Sequence, residues 1–250
     1  MQTGDKRENL IDALRGAAVV SMVLFHFCYD RFMILGRDPA WYGRTPVFLW
    51  QRSICWAFIL IAGYVWRPGR RGTLRRGLLL NLFGALITLV TWLAVPEETI
   101  WFGVLNFLGC AALLLIPLDR LLDKASPAAG LAASALLFFL LRHLAEGWVG
   151  LGPWRLALPT ALYDCRLLTP LGLPWPEFRS GDYFPLLPWF CLYLCGYFLR
   201  PLLRRSSRWR GLTAMSCAPL GWIGRRSLWI YLLHQPLCLG LAWLLEQYCI

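Results

Sequence analysis

Long apolar stretches alternate along this chain with short, arginine-rich gaps. The stretches fall at about 12–34, 46–66, 76–95, 100–118, 128–146, 183–200 and 226–246, each near the ~20 residues that a helix needs to cross a bilayer. The pattern predicts an all-α, polytopic helix bundle of about seven spans, forming a single transmembrane domain over residues 1–250. Lys6 and Arg7 precede the first stretch as in a secretory leader, but Arg15 interrupts its front and no Ala-x-Ala site follows, so it is read as an uncleaved span. The gap at about 147–182 is long and rich in Pro, Gly and Trp. Its aromatic residues argue against disorder and for a cap over an external cavity or a segment folded into the interface.

Charge orients these elements. Arg67, Arg70, Arg71, Arg75 and Arg76 fill the second gap, Arg120 and Lys124 the fourth, and Arg200, Arg204, Arg205, Arg208, Arg210, Arg225 and Arg226 the sixth. The third gap, Pro96-Glu-Glu-Thr, carries no positive charge. Placing the N-terminus in the cytoplasm puts the dense arginine clusters inside and the 147–182 loop outside, as the positive-inside rule requires. The expected location is the cytoplasmic (inner) membrane of a bacterium, with the lipid bilayer as the first partner. A net charge of +11 raises the question of nucleic acid, but the arginines sit in gaps between spans and line no single polar face, so nucleic acid is excluded as a partner. Nine cysteines form no Cys-x-x-Cys pair and no zinc spacing; no metal is expected, and they read as small apolar residues.

The chemistry-bearing residues stand out against this background. Arg15 and His26 lie in the first span, eleven residues apart; such a separation returns to within about 20° of the same helix face and rises about 16 Å. Asp12 and Asp30 fall on that face too, giving one acid–cation–imidazole–acid stripe about 60° wide. Ionisable groups at such depth face a bundle interior or a polar cavity. Asp30, four residues after His26, either orients the imidazole as in base-plus-orienter chemistry or lies solvated among headgroups. Arg15 either anchors the cytoplasmic boundary with Asp12 or holds an anionic ligand there.

The last span supplies Ser227, Tyr231 and His234 on one face, followed by Gln235 and Pro236. The proline strips a donor from the Leu232 carbonyl, so a polar pocket or a polar knot is expected near mid-membrane. Asn81 and Asn106 are polar groups within spans that need partners or line a cavity. Asp182 is expected to cap the start of the sixth span, and His143 with Glu146 to sit at the interface.

These residues occur in segments that resemble a known family. Arg7-x-x-x-x-Asp12-x-x-Arg15-Gly16 with a following His26, Phe102-Gly-Val-Leu-Asn-Phe-Leu-Gly109, Asp182-Tyr-Phe-Pro-Leu-Leu-Pro-Trp189 and Gly224-Arg-Arg-Ser-Leu-Trp-Ile-Tyr-Leu-Leu-His-Gln-Pro236 are similar to bacterial members of the heparan-alpha-glucosaminide N-acetyltransferase catalytic-domain family. The first and last segments also resemble the acyltransferase-3 group. The resemblance implies a membrane-bound O- or N-acetyltransferase that moves an acetyl group from cytoplasmic acetyl-CoA to a glycan or other envelope acceptor. Under that reading His26, Asp30 and His234 are catalytic, Arg15 and Asp12 bind the acyl-CoA donor, and Tyr231, Gln235, Asn106 and Asp182 contact substrate. A homodimer is the further partner considered. Asp38 stands where the eukaryotic lysosomal relatives have histidine before an Ala-x-Trp-type motif, and Asn106 stands where related bacterial chains carry histidine. The competing classes are a transporter or flippase, which would use the same buried ions as a substrate path, and a non-catalytic membrane protein.

Overall fold

A computed structural model describes residues 8–67, 71–215 and 217–248; Lys6, Arg7 and Arg70 lie outside the described residues. Helices dominate: α1 (Asn9–Tyr29), α2 (Thr45–Val65), α3 (Arg71–Ala94), α4 (Val104–Leu122), α5 (Pro127–Leu141), α6 (Leu186–Arg205), α7 (Ser207–Ala214), α8 (Ala218–Arg225) and α9 (Ser227–Tyr248). Among the described residues, seven helical segments are long and apolar enough to cross a bilayer. They begin and end within a few residues of the spans expected from hydropathy. Offsets reach five residues, as at the start of α3 and the end of α6; α4 starts at Val104, where Phe102 adopts a left-handed backbone (φ 54°) and Gly103 serves as the N-cap.

Exposed leucines and tryptophans cover the outward faces of α3, α5 and α9. In a water-soluble chain such faces would aggregate; in a bilayer they meet acyl chains.

Two features had no clear sequence signal. The loop between α5 and α6 contains an antiparallel hairpin, β1 (Trp148–Leu151) paired with β2 (Trp154–Ala157), followed by short 3-10 turns. The arginine-rich sixth gap folds into α7 and α8.

The chain divides into two compact units, residues 1–61 with 204–250 and residues 62–203. In the first, α8 crosses α1 at two glycines. A Cβ at Gly16 would lie 2.0 Å from the Leu220 carbonyl oxygen, and one at Gly224 would lie 1.9 Å from that of Asp12, so only glycine permits this approach. The Arg15-Gly16 and Gly224-Arg225 motifs, two hundred residues apart in sequence, thus meet backbone to backbone. The core of this unit is Met22, Phe25, Trp41, Val47 and Ile54. Trp41, from the Asp38-Pro-Ala-Trp stretch, packs its ring 5.5 Å from Phe25 and 5.4 Å from Phe32. Asp38 itself faces outward and is bridged to Arg44 at 2.7 Å.

In the second unit α3 lies along α4, and the loop before α6 is stitched to the start of α4. Ser180 Oγ accepts from the Trp101 N–H at 2.9 Å, and the Phe184 N–H donates to the Phe102 carbonyl at 3.0 Å.

Candidate functional site

The first unit gathers a buried polar cluster between α1 and α9. The α-helix of α1 gives way at Asp30 to a π-helical turn, Asp30–Ile34. Such turns widen the helix and recur at functional sites. Here the turn begins one helical turn after His26 and carries Asp30 into the interior, where it is fully enclosed at 0% exposure.

His26 and His234 meet edge to face, ring centroids 4.6 Å apart. Gln235 Nε2 donates to Asp30 Oδ1 at 2.8 Å, across 205 residues of sequence. Tyr231 packs its ring 5.4 Å from that of His234. The hydrogen-bonded partner of Asp30 is therefore the Gln235 amide on the facing helix.

The His234 tautomer follows from one contact. Nδ1 lies 2.6 Å from the Tyr231 carbonyl oxygen. A carbonyl only accepts, so Nδ1 carries the proton and Nε2 of the neutral ring presents a lone pair. Nε2 is buried and has no hydrogen-bond partner among the described residues; neither have Asp30 Oδ2 and Gln235 Oε1. Each such group costs about 1–3 kcal/mol when left unsatisfied. The chemistry of these three atoms (two acceptor oxygens and an imidazole lone pair) suits a ligand or water that brings N–H or O–H donors.

Arg15 and Asp12 lie toward the other end of α1, about three turns from His26. Arg15 Nη1 sits 3.3 Å from Asp12 Oδ1; the arginine side chain keeps 22% of its surface exposed while that of Asp12 keeps 7%. The pair is held where α8 clasps α1.

Asn106 and Asp182 belong to the second unit. Asn106 Nδ2 donates to the Asn81 carbonyl at 3.5 Å, Asn81 Nδ2 donates to the Gly77 carbonyl at 3.0 Å, and Cys110 Sγ donates to Asn81 Oδ1 at 3.3 Å. These form a bonded polar seam between α3 and α4. Asp182 is a helix cap, but of α4 rather than of the sixth span: its Oδ2 accepts from the Val104 N–H at 3.3 Å. Burial pushes its carboxyl up to about 6, and the Val104 N–H opposes that rise. His143 is stacked on Trp148, 3.9 Å between centroids, and its Nδ1 lies 2.9 Å from Glu146 Oε2.

One cavity of the second unit has no counterpart in the sequence reading. It encloses about 370 Å³ between the ends of α2, α3, α4 and α6, and Trp66, Arg67, Thr73, Arg76 and Tyr193 are among its walls. The arginines were legible only as topology signals; a Gly-Thr step opening a helix directly after Arg71 is the one local hint of an anion site.

A family model described as heparan-alpha-glucosaminide N-acetyltransferase, catalytic, matches residues 7–236. That match covers both units and every candidate residue named above. No curated protein and no solved structure matches.

Proposed function

Because the chain belongs to the heparan-alpha-glucosaminide N-acetyltransferase catalytic family, whose members are membrane acetyltransferases, we propose that it transfers an acetyl group from cytoplasmic acetyl-CoA to a glycan or envelope acceptor on the opposite side of the bacterial inner membrane. The observation that supports this reading is the His26–His234 pair, set beside Asp30 and Gln235 in a cluster with three polar atoms that have no hydrogen-bond partner among the described residues. In this reading the N-terminus is cytoplasmic, as the arginine-rich gaps favour.

The ring geometry supports the following route. His26 takes a proton from the acceptor's amine or hydroxyl as that nitrogen or oxygen attacks the thioester carbonyl. A C–N or C–O bond forms, the C–S bond breaks, and the proton passes to the departing CoA sulfur. His234 offers its Nε2 lone pair to the acceptor's N–H or O–H and so positions it; Tyr231 packs the ring in place. Asp30 acts through Gln235, holding the amide that borders His26. Arg15, beside Asp12 and still partly exposed, receives a donor phosphate.

The test is transfer by proteoliposomes given [14C]acetyl-CoA outside and glucosamine or peptidoglycan fragments inside. The wild type is expected to label the enclosed sugar, and His26→Ala to lose about 100-fold or more of that rate. Full transfer by a folded His26→Ala protein would overturn the assignment.

A further inference from the structure

We propose that the cavity lined by Arg67, Thr73 and Arg76 is a binding site for a phosphate ester, separate from the histidine cluster. It lies wholly within the second unit and is built by four helices. At about 370 Å³ its size falls in the range of small-ligand sites, which run from about 300 to 1,000 Å³. Its walls divide by chemistry. Arg67 and Arg76 bring two guanidinium groups, whose planar forks match phosphate oxygens. Thr73 brings a hydroxyl from the first turn of α3, 3.4 Å from the Arg67 carbonyl. Gly72 lines the cavity in the same turn, so the amino-terminal end of a 24-residue helix opens there. Leu80, Leu108 and Ala112 complete an apolar floor for whatever the phosphate is attached to.

The frame around these groups is held in place. Trp66 Nε1 donates to the Ala112 carbonyl at 3.1 Å, tying the end of α2 to α4. The Tyr193 ring is buried at 2% exposure, and the hydroxyl of Tyr197, one turn on, donates to Asp119 Oδ1 at 2.8 Å. No carboxylate lines the cavity. Two cations, a hydroxyl, a helix amino terminus and an apolar floor describe a pocket for a phosphate carried on an organic group, and the exposed Gly72 and Arg76 leave it open to the exterior. The inference does not depend on acetyl transfer, because a phospholipid headgroup offers the same chemistry as the phosphates of CoA; a CoA result would move the donor phosphate from Arg15 to this cavity.

The experiment is arginine footprinting with phenylglyoxal on the full protein in nanodiscs, read by mass spectrometry, with Trp fluorescence as a second readout since Trp66 lines the wall. The probes are pyrophosphate, CoA, and nanodiscs of phosphatidylglycerol against phosphatidylcholine. Pyrophosphate is expected to slow modification of Arg67 and Arg76 several-fold while Arg142 reacts as before. Protection by CoA in phosphatidylcholine assigns the site to the nucleotide; protection from phosphatidylglycerol alone assigns it to a lipid headgroup. Arg67→Gln with Arg76→Gln is expected to raise the pyrophosphate Kd about tenfold or more, and Arg76→Lys to restore part of the affinity. Equal modification rates with and without all three probes would overturn the proposal, as would wild-type affinity in the folded double variant. Acetyl transfer measured on the same samples separates this outcome from a failure of the histidine assignment.

Discussion

Both units bury polar side chains between apolar helices, yet they treat them differently. Along α3 and α4, Asn81, Asn106 and Cys110 hydrogen-bond to one another or to backbone carbonyls. Between α1 and α9, His26, Asp30, His234 and Gln235 also gather, but His234 Nε2, Asp30 Oδ2 and Gln235 Oε1 are left without partners among the described residues. A bonded seam stabilises helix association in lipid; a seam with spare lone pairs sacrifices stability and gains a place for donors to bind. Under the proposed function this difference separates a structural role from a chemical one more sharply than the residue types do, since either set would read as polar groups within spans.

The comparison can be broken from either side. The largest effect is expected from His234→Phe, which replaces a partly satisfied polar ring by an apolar one. Acetyl transfer should fall about 100-fold or more, while the thermal midpoint in detergent stays level or rises. A lowered midpoint with transfer intact would make the cluster a structural knot. Next comes Gln235→Leu, which strips Asp30 of its hydrogen bond. Transfer should drop about tenfold, and stability should fall by about 1–3 kcal/mol through the uncompensated carboxyl.

Asn106→Ala should behave in the opposite way. Loss of the seam bond should lower stability by about 1 kcal/mol and leave the transfer rate within about twofold; a large loss of rate with a normal KM for the donor would move Asn106 into the reaction. Asp182 should have the smallest effect on the reaction and a distinct signature in pH. Its carboxyl is raised from 3.8 to about 6 in the folded protein, so the folded state holds the proton more tightly than the unfolded chain. By linkage, the stability this group supplies is present below about pH 4 and lost as pH rises through about 6. Asp182→Asn, which can still accept from the Val104 N–H, should abolish that slope in the midpoint-versus-pH curve.

How much of this was legible beforehand follows from what each signal depends on. Span positions depend on hydropathy summed over about twenty residues, and seven appear where expected. The start of α4 moved because a left-handed Phe102 cannot be read from an apolar run. α7 and α8 are eight residues each, too short to register in a hydropathy window of about twenty, although Gly16 and Gly224 carry the packing that binds α8 to α1. The face shared by His26 and Asp30 follows from helical spacing. The bond from Asp30 to Gln235 does not, because it depends on the register of two helices distant in sequence and on a π-helical turn. Asp182 is expected at the start of the sixth span, yet the helix it caps is α4, nearly eighty residues earlier, a pairing that only tertiary structure creates.

The most direct test of the central claim is a structure of the protein with a non-hydrolysable acetyl-CoA analogue bound. The account predicts the analogue's carbonyl beside the His26–His234 pair, with room for an acceptor atom about 3–3.5 Å from the carbonyl carbon. An analogue bound with its carbonyl remote from both rings, and the pair unchanged, would contradict it.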